Sequence, residues 1–158
     1  MGSRSNIDLA YVAGFLDGDG SIMLQIKKRA DTKRGFRFMA TICFYQDTRH
    51  EKSLYWIQNI LEIGYICKRK DGMSELRING FSAINSLLVD LRPFIRFKEA
   101  QVKAMIAATN ILAKDISMLS VKELKLLVDY ILLIQNENYK AHEKRSKDDF
   151  YEILGLTP

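Results

Sequence analysis

The chain has 158 residues, enough for one hydrophobic core and too few for two comfortable domains, so residues 1–158 are expected to form a single domain. With 47% apolar and 27% charged residues it is not a disordered chain; two cysteines without CxxC spacing and two histidines argue against a disulfide framework or a zinc cluster. The 24 Lys plus Arg against 19 Asp plus Glu leave a net charge of +5, which favours a polyanionic partner.

No apolar stretch is long and unbroken enough to span a bilayer and no signal peptide opens the chain, so no membrane partner is expected. The expected location is intracellular and reducing, without distinction between a chloroplast, a mitochondrion and a prokaryotic cytoplasm. Residues 1–5 are expected to be a tag or disordered, Met1-Gly2-Ser3 reading as a remnant of expression.

The first helix is expected from about Asn6 to Asp17. Ala10, Gly14 and Gly18 fall at i, i+4 and i+8, so one stripe carries nothing larger than a methyl group. Two glycines there cost roughly 1 kcal/mol each relative to alanine, and close approach of another helix is the gain that offsets them. No other helix carries a matching stripe. The natural partner is therefore the same helix in a second copy, across a homodimer seam of Ala10, Ala13, Gly14, Asp17 and Gly18; packing inside one subunit is the alternative.

Asp17 and Asp19 close this helix at the end where the macrodipole disfavours carboxylates. A hard divalent cation, which accepts carboxylate and carbonyl oxygens, would relieve the repulsion of two such ends brought together. Standing alone, Asp17-Gly-Asp-Gly20 reads more readily as a polar turn. An EF-hand loop begun at Asp17 fails, because Ile22 stands where glycine is needed and Lys28 where an acid is needed.

Strict alternation then predicts two strands. In the first, Ile22, Leu24 and Ile26 point one way and Met23, Gln25, Lys27 and Arg29 the other. From Phe36 to Tyr45, Phe38, Ala40, Ile42 and Phe44 take the core side, and Arg37, Thr41, Cys43 and Tyr45 the wet side. Thr48-Arg-His-Glu51 has the form of a capping box ahead of a helical stripe at Leu54, Ile57, Ile60 and Leu61. A hairpin of roughly Tyr65–Lys70 and Met73–Asn79 turns at Asp71-Gly72.

Ile84, Leu87, Leu88 and Leu91 mark a helix ended by Pro93, and helices from about Lys98 to Ala113 and Ser120 to Asn136 follow. Residues 140–158 are expected to be a charged tail with a short helix near Asp148–Leu154. The class is α+β in the order αββαββα, with extra C-terminal helices. On the wet face Met23, Gln25, Lys27, Arg29, Arg37, Thr41, Cys43, Tyr45, Tyr65, Cys67, Arg69, Glu75 and Arg77 share one parity, and Lys33 and Arg34 extend it in the loop. Such a ribbon suits the major groove of double-stranded DNA: Arg and Gln pair with purine edges and Glu accepts from cytosine.

The segment Tyr11-Val-Ala-Gly-Phe-Leu-Asp-Gly-Asp-Gly-Ser21 resembles the signature of the LAGLIDADG homing endonucleases. The resemblance continues through Gln46, Gly64-Tyr65 and Leu91-Arg-Pro-Phe-Ile-Arg-Phe-Lys98, and a single motif is similar to the homodimeric branch. It implies an antiparallel, saddle-shaped DNA-binding sheet and a metal-dependent endodeoxyribonuclease serving intron homing. The implied target is long and pseudo-palindromic, cut to short 3′ overhangs. The implied metal ligands are Asp19 and the Gly18 carbonyl, with Mg2+ as cofactor and Mn2+ or Ca2+ able to occupy the site. Asp17 is implied to be structural. Gln46 would orient water, Lys98 would polarise the solvent pocket and His50 stands where some relatives carry arginine.

Plain readings stay open beside these: Gln46 has core-facing parity and must have left the sheet to reach a metal, Lys98 could begin a helix, and His50 could sit on a helix surface. A non-cleaving nucleic-acid binder on the same scaffold, an RNA maturase or a transcription regulator, is the competing function. Retention of Asp19 favours the enzyme.

Overall fold

The two alternating runs and the hairpin assemble into one antiparallel sheet. In the computed structural model, which describes residues 4–138 and 144–158, it comprises β1 (Ser21–Lys28), β2 (Phe36–Asp47), β3 (Tyr65–Lys68) and β4 (Met73–Asn79), in the order β1-β2-β4-β3. The register sets Ile22 against Ile42, Leu24 against Ala40, Ile26 against Phe38 and Phe44 against Leu76, and all of these are buried. Because side chains alternate, every residue between them faces the other way. Gly72, with φ of 83°, supplies the left-handed residue that the β3–β4 turn requires.

The apolar face is covered by α1 (Asn6–Asp19), α2 (Lys52–Leu61), α3 (Phe81–Leu91), α4 (Glu99–Leu112), α5 (Val121–Glu137) and α6 (Lys147–Leu154), which share its core. Ser5 caps α1 by accepting from the Asp8 amide, and α5 opens with the expected box of Ser120 and Glu123. No helix among the described residues is long and apolar enough to cross a membrane.

Four expectations are corrected. First, α1 continues to Asp19, because the Gly20 amide donates back to the Phe15 and Leu16 carbonyls. Second, the box at Thr48 does not form. The Thr48 hydroxyl lies 3.0 Å from that of Ser74, Glu51 accepts from Ser74 and pairs with Lys68, and Asp47 instead caps a 3-10 turn over Thr48–His50.

Third, Arg4 and Ser5 are not a loose end: Arg4 reaches Asp90 at 3.1 Å and the Leu61 carbonyl at 2.7 Å, while residues 1–3 lie outside the described residues. Fourth, the C-terminal segment is part of the core. Phe150 and Tyr151 of α6 are buried, and Asn138 and Arg145 donate to the Ile22 and Ile26 carbonyls on the outer edge of β1; the stretch 139–143 lies outside the described residues.

Candidate active site and nucleic-acid interface

Both faces of α1 are apolar, and only one is used within the chain. Leu9, Val12, Ala13 and Leu16 are buried, whereas Ile7, Tyr11, Gly14 and Gly18 are exposed. A Cβ at Gly14 or Gly18 would meet no atom within 4 Å. The open stripe is thus Ile7, Tyr11, Gly14 and Gly18, with Ala10 half-buried beside it. Ala13 is a correction: one residue is a turn of about 100°, which carries it from the glycine stripe into its own core, fully buried. Asp17 is likewise buried, so neither is free for a seam. Tyr11 meets Trp56 of α2 edge-on at 5.3 Å, which extends the open apolar surface. Sequence reasoning missed Ile7 and Trp56; the signal was a helix with no charge on either side between Leu9 and Leu16.

The end of α1 is pinned by α4. The Asp17 carboxylate accepts from the amides of Arg96, Phe97 and Lys98 at 2.6, 3.1 and 3.0 Å, and the Lys98 ammonium donates to the Asp17 carbonyl at 2.6 Å. The acid that a helix C-terminus disfavours is therefore stabilised by three backbone amides of the segment that leads into α4. Burial pushes the Lys98 ammonium below its usual pKa, against the pull of Asp17 and Asp19. Asp19 itself is exposed and has no hydrogen-bond or ion-pair partner among the described residues.

Carboxylate and carbonyl oxygens suit magnesium or calcium, and a free Asp19 beside the Gly18 carbonyl fits such an ion. One chain does not complete the coordination: no group of three acidic, His or Cys ligands occurs among the described residues. A second α1 end would supply the missing oxygens.

Gln46 and His50 lie at the same end of the sheet, since Ser21, which follows the acids, pairs with Cys43, three residues before Gln46. Gln46 has not left the sheet as expected. β2 runs on to Asp47, Gln46 pairs with Ser74, and its side-chain oxygen accepts from the Asp47 amide at 3.0 Å. His50 is exposed on the 3-10 turn.

The sheet face opposite the core carries the expected parity at varied depth. Gln25, Lys27, Arg29, Arg37, Tyr65, Cys67 and Arg69 are exposed, with Lys33 and Arg34 in the loop; Met23, Tyr45 and Arg77 are half-buried. Thr41, Cys43 and Glu75 are corrections, being buried in mid-sheet beneath longer neighbours. The Thr41 hydroxyl donates to Asn79, Glu75 pairs with Arg77, and burial pushes the Cys43 thiol up. The Tyr45 and Ser21 hydroxyls lie 2.9 Å apart, joining this face to the residue that follows the acids. Asn79, also bonded to Tyr65, shares the parity of Arg77, and counting two residues on would have found it.

Arg29 and Arg69 form exposed pairs with Asp31 and Asp71, which contribute little to stability and leave both arginines at the surface. Arg34 is held by the Ile116 carbonyl at 3.1 Å.

A family model described as LAGLIDADG endonuclease matches residues 12–92. The DNA endonuclease I-CvuI of Chlorella vulgaris is 35% identical over 133 residues, 83% of this chain and 81% of that protein. The DNA endonuclease I-CreI of Chlamydomonas reinhardtii is 29% identical over 98 residues, 62% of this chain and 60% of that one. A crystal structure of the homing endonuclease I-CvuI with its target in the presence of 2 mM Ca superposes with a TM-score of 0.80 at 26% identity, covering 96% of this chain and 97% of that one. The archaeal intron-encoded homing endonuclease I-Vdi141I, in complex with DNA, has the same fold, with a TM-score of 0.81 at 21% identity, covering 95% of this chain and 96% of that one. The motif on α1, the paired strand–strand–helix units behind it and the match from residue 12 to residue 92 have one explanation: this chain belongs to the LAGLIDADG endonuclease family.

Proposed function

We propose that this chain is a site-specific double-strand DNA endonuclease that acts as a homodimer, requires a divalent metal and uses Mg2+ in that role. The observation that carries this reading is Asp19, an exposed and unpaired acid at the end of a helix whose glycine stripe is open, at the margin of a basic sheet face. Two copies joined along α1 would bring two Asp19 carboxylates and two Gly18 carbonyls together and make one continuous surface of the two sheets.

A divalent ion bound there would supply charge stabilisation for hydrolysis of the scissile phosphate. Asp19 and the Gly18 carbonyl would hold it. Lys98, anchored on the Asp17 carbonyl, keeps a cation beside the acids. Lys27, Lys33 and Arg37 contact phosphates or bases, while Tyr45 steadies Ser21 through their hydroxyls. Two unpaired cysteines accord with the reducing interior of a cell or organelle.

The test is selection of DNA from a randomised double-stranded library in Ca2+, followed by transfer of the selected site to Mg2+. Selection of a pseudo-palindromic site that is cut on both strands, with cutting abolished and binding kept in Asp19→Asn, supports the reading. Tight binding of a selected site without cutting in Mg2+ would place the chain among non-cleaving members of the scaffold.

A further inference from the structure

In the middle of the bare sheet face lies a charged pair with an unusual division of exposure. Glu75 is 4% exposed, and its carboxylate accepts from an Arg77 terminal nitrogen at 2.5 Å. Both residues stand on β4, two positions apart, so they share a face. Across the strands Glu75 is flanked by Tyr45 and Cys67, and Arg77 by Cys43 and Tyr65. The Arg77 side chain is 38% exposed, yet its Nε is buried and has no hydrogen-bond partner among the described residues.

A buried carboxylate beneath a surface cannot reach a base edge, and a buried Nε cannot donate to one. The donors left to Arg77 are its two terminal nitrogens, one already fixed by Glu75. Such a guanidinium has lost rotational freedom before any ligand arrives, and its half-exposed side chain keeps N–H groups on both terminal nitrogens for a ligand. Guanine is the base whose major-groove edge offers two adjacent acceptors, O6 and N7, to such donors.

We propose that Glu75 reads no base itself but aligns Arg77, and that the aligned pair reads one guanine in each half of the target. This replaces the cytosine contact that the sequence suggested for Glu75, and it rests on the nuclease reading above. The positioning is entropic as well as geometric. A free arginine tolerates several bases at modest affinity; a clamped one favours guanine and penalises the rest.

The experiment is the same library selection, in Ca2+ so that binding alone is read, on the full chain and on Arg77→Ala, Glu75→Gln and the double variant Glu75→Gln/Arg77→Met. Glu75→Gln keeps the shape of the side chain and leaves only the half-exposed Arg77 cation, and the double variant removes both charges at similar volume, so neither strands a buried carboxylate as Arg77→Ala does. The wild type should select guanine at one symmetric pair of positions. Arg77→Ala and the double variant should lose that preference alone, by about tenfold or more, with the other positions unchanged as proof of a folded sheet. Glu75→Gln should weaken the same guanine preference while overall affinity falls by less.

The proposal is overturned if Glu75→Gln leaves the Arg77-dependent guanine untouched, or if it erases a cytosine preference at a different position. Failure of the wild type to select any site would instead remove the nuclease reading, and this pairing with it. Selection of a site that is bound and never cut in Mg2+ removes only cleavage, and the Arg77 guanine then still decides the pairing.

Discussion

Asp17 and Lys98 are joined twice. The Lys98 amide donates to the Asp17 carboxylate at 3.0 Å, and the Lys98 ammonium donates to the Asp17 carbonyl at 2.6 Å. Lys98 is the donor in both, once from its backbone to the Asp17 side chain and once from its side chain to the Asp17 backbone, so the end of α1 and the start of α4 cannot part without stretching both bonds. Asp19, two residues on, takes its position from this joint.

Asp17→Ala removes the acceptor for three backbone amides and is expected to destabilise the fold by about 1.5–3 kcal/mol, the range for hydrogen bonds to a charged group. Asp17→Asn, which keeps one oxygen, should lose less. Urea denaturation of both variants reads the difference; equal midpoints for Asp17→Ala and the parent would refute the joint.

Asp19 behaves oppositely. It makes no bond within its own chain among the described residues and sits where the helix dipole disfavours it, so Asp19→Asn should leave stability unchanged or raise it by about 0.3–1 kcal/mol in the absence of metal. Added Mg2+ should raise the thermal midpoint of the parent and not of the variant. A shift of equal size in both would remove Asp19 from the metal site.

The glycines of the motif separate the subunit from the assembly. At Gly20 a Cβ would stand 2.6 Å from Leu16 Cδ1 and 2.9 Å from Leu16 Cα, so Gly20→Ala should unfold the subunit more readily. At Gly14 there is open space, so Gly14→Leu should keep the far-UV spectrum and the subunit fold while converting a dimer to a monomer. Sedimentation that still reports a dimer for Gly14→Leu would put the interface elsewhere.

Acid sensitivity follows from two half-buried carboxylates. The Lys114 ammonium and the Ser120 amide hold Glu123 at about 2, and the Ser74 hydroxyl, then Lys68, lower Glu51 from the usual 4.5. Both folded values lie below the unfolded one, so the unfolded chain binds more protons as pH falls. The stabilisation is complete above about 4.5 and is lost as pH drops toward the folded values. Glu123→Gln and Glu51→Gln should each flatten the fall of the urea midpoint between pH 4.5 and 2; an unchanged slope in both would contradict the assignment.

The sequence reveals periodicity well and depth poorly. Alternation placed Met23 through Arg77 on the correct face, since parity is a property of the backbone. It could not reveal that Thr41, Cys43 and Glu75 lie under their neighbours, because that depends on which long side chains close over mid-sheet. The capping box at Thr48 lost to Ser74, a competitor 26 residues away. The partners of Asp17 are backbone amides, which leave no trace in side-chain identity. Asp19 was legible for the opposite reason: an acid placed against a helix dipole with no local partner is conspicuous in the sequence itself.

The outer edge of β1 returns with a different meaning. Asn138 and Arg145 occupy its Ile22 and Ile26 carbonyls, and the opposite edge, β3, is four residues long and runs into Lys68, Arg69 and Lys70. One margin is sealed and the other is short and charged, so neither offers a template for strand addition. Extension of one copy's sheet by another into a ribbon or a fibril is therefore disfavoured at both margins. Association is confined to faces and helices, which makes a closed pair the natural end point of assembly rather than the first step of an open polymer.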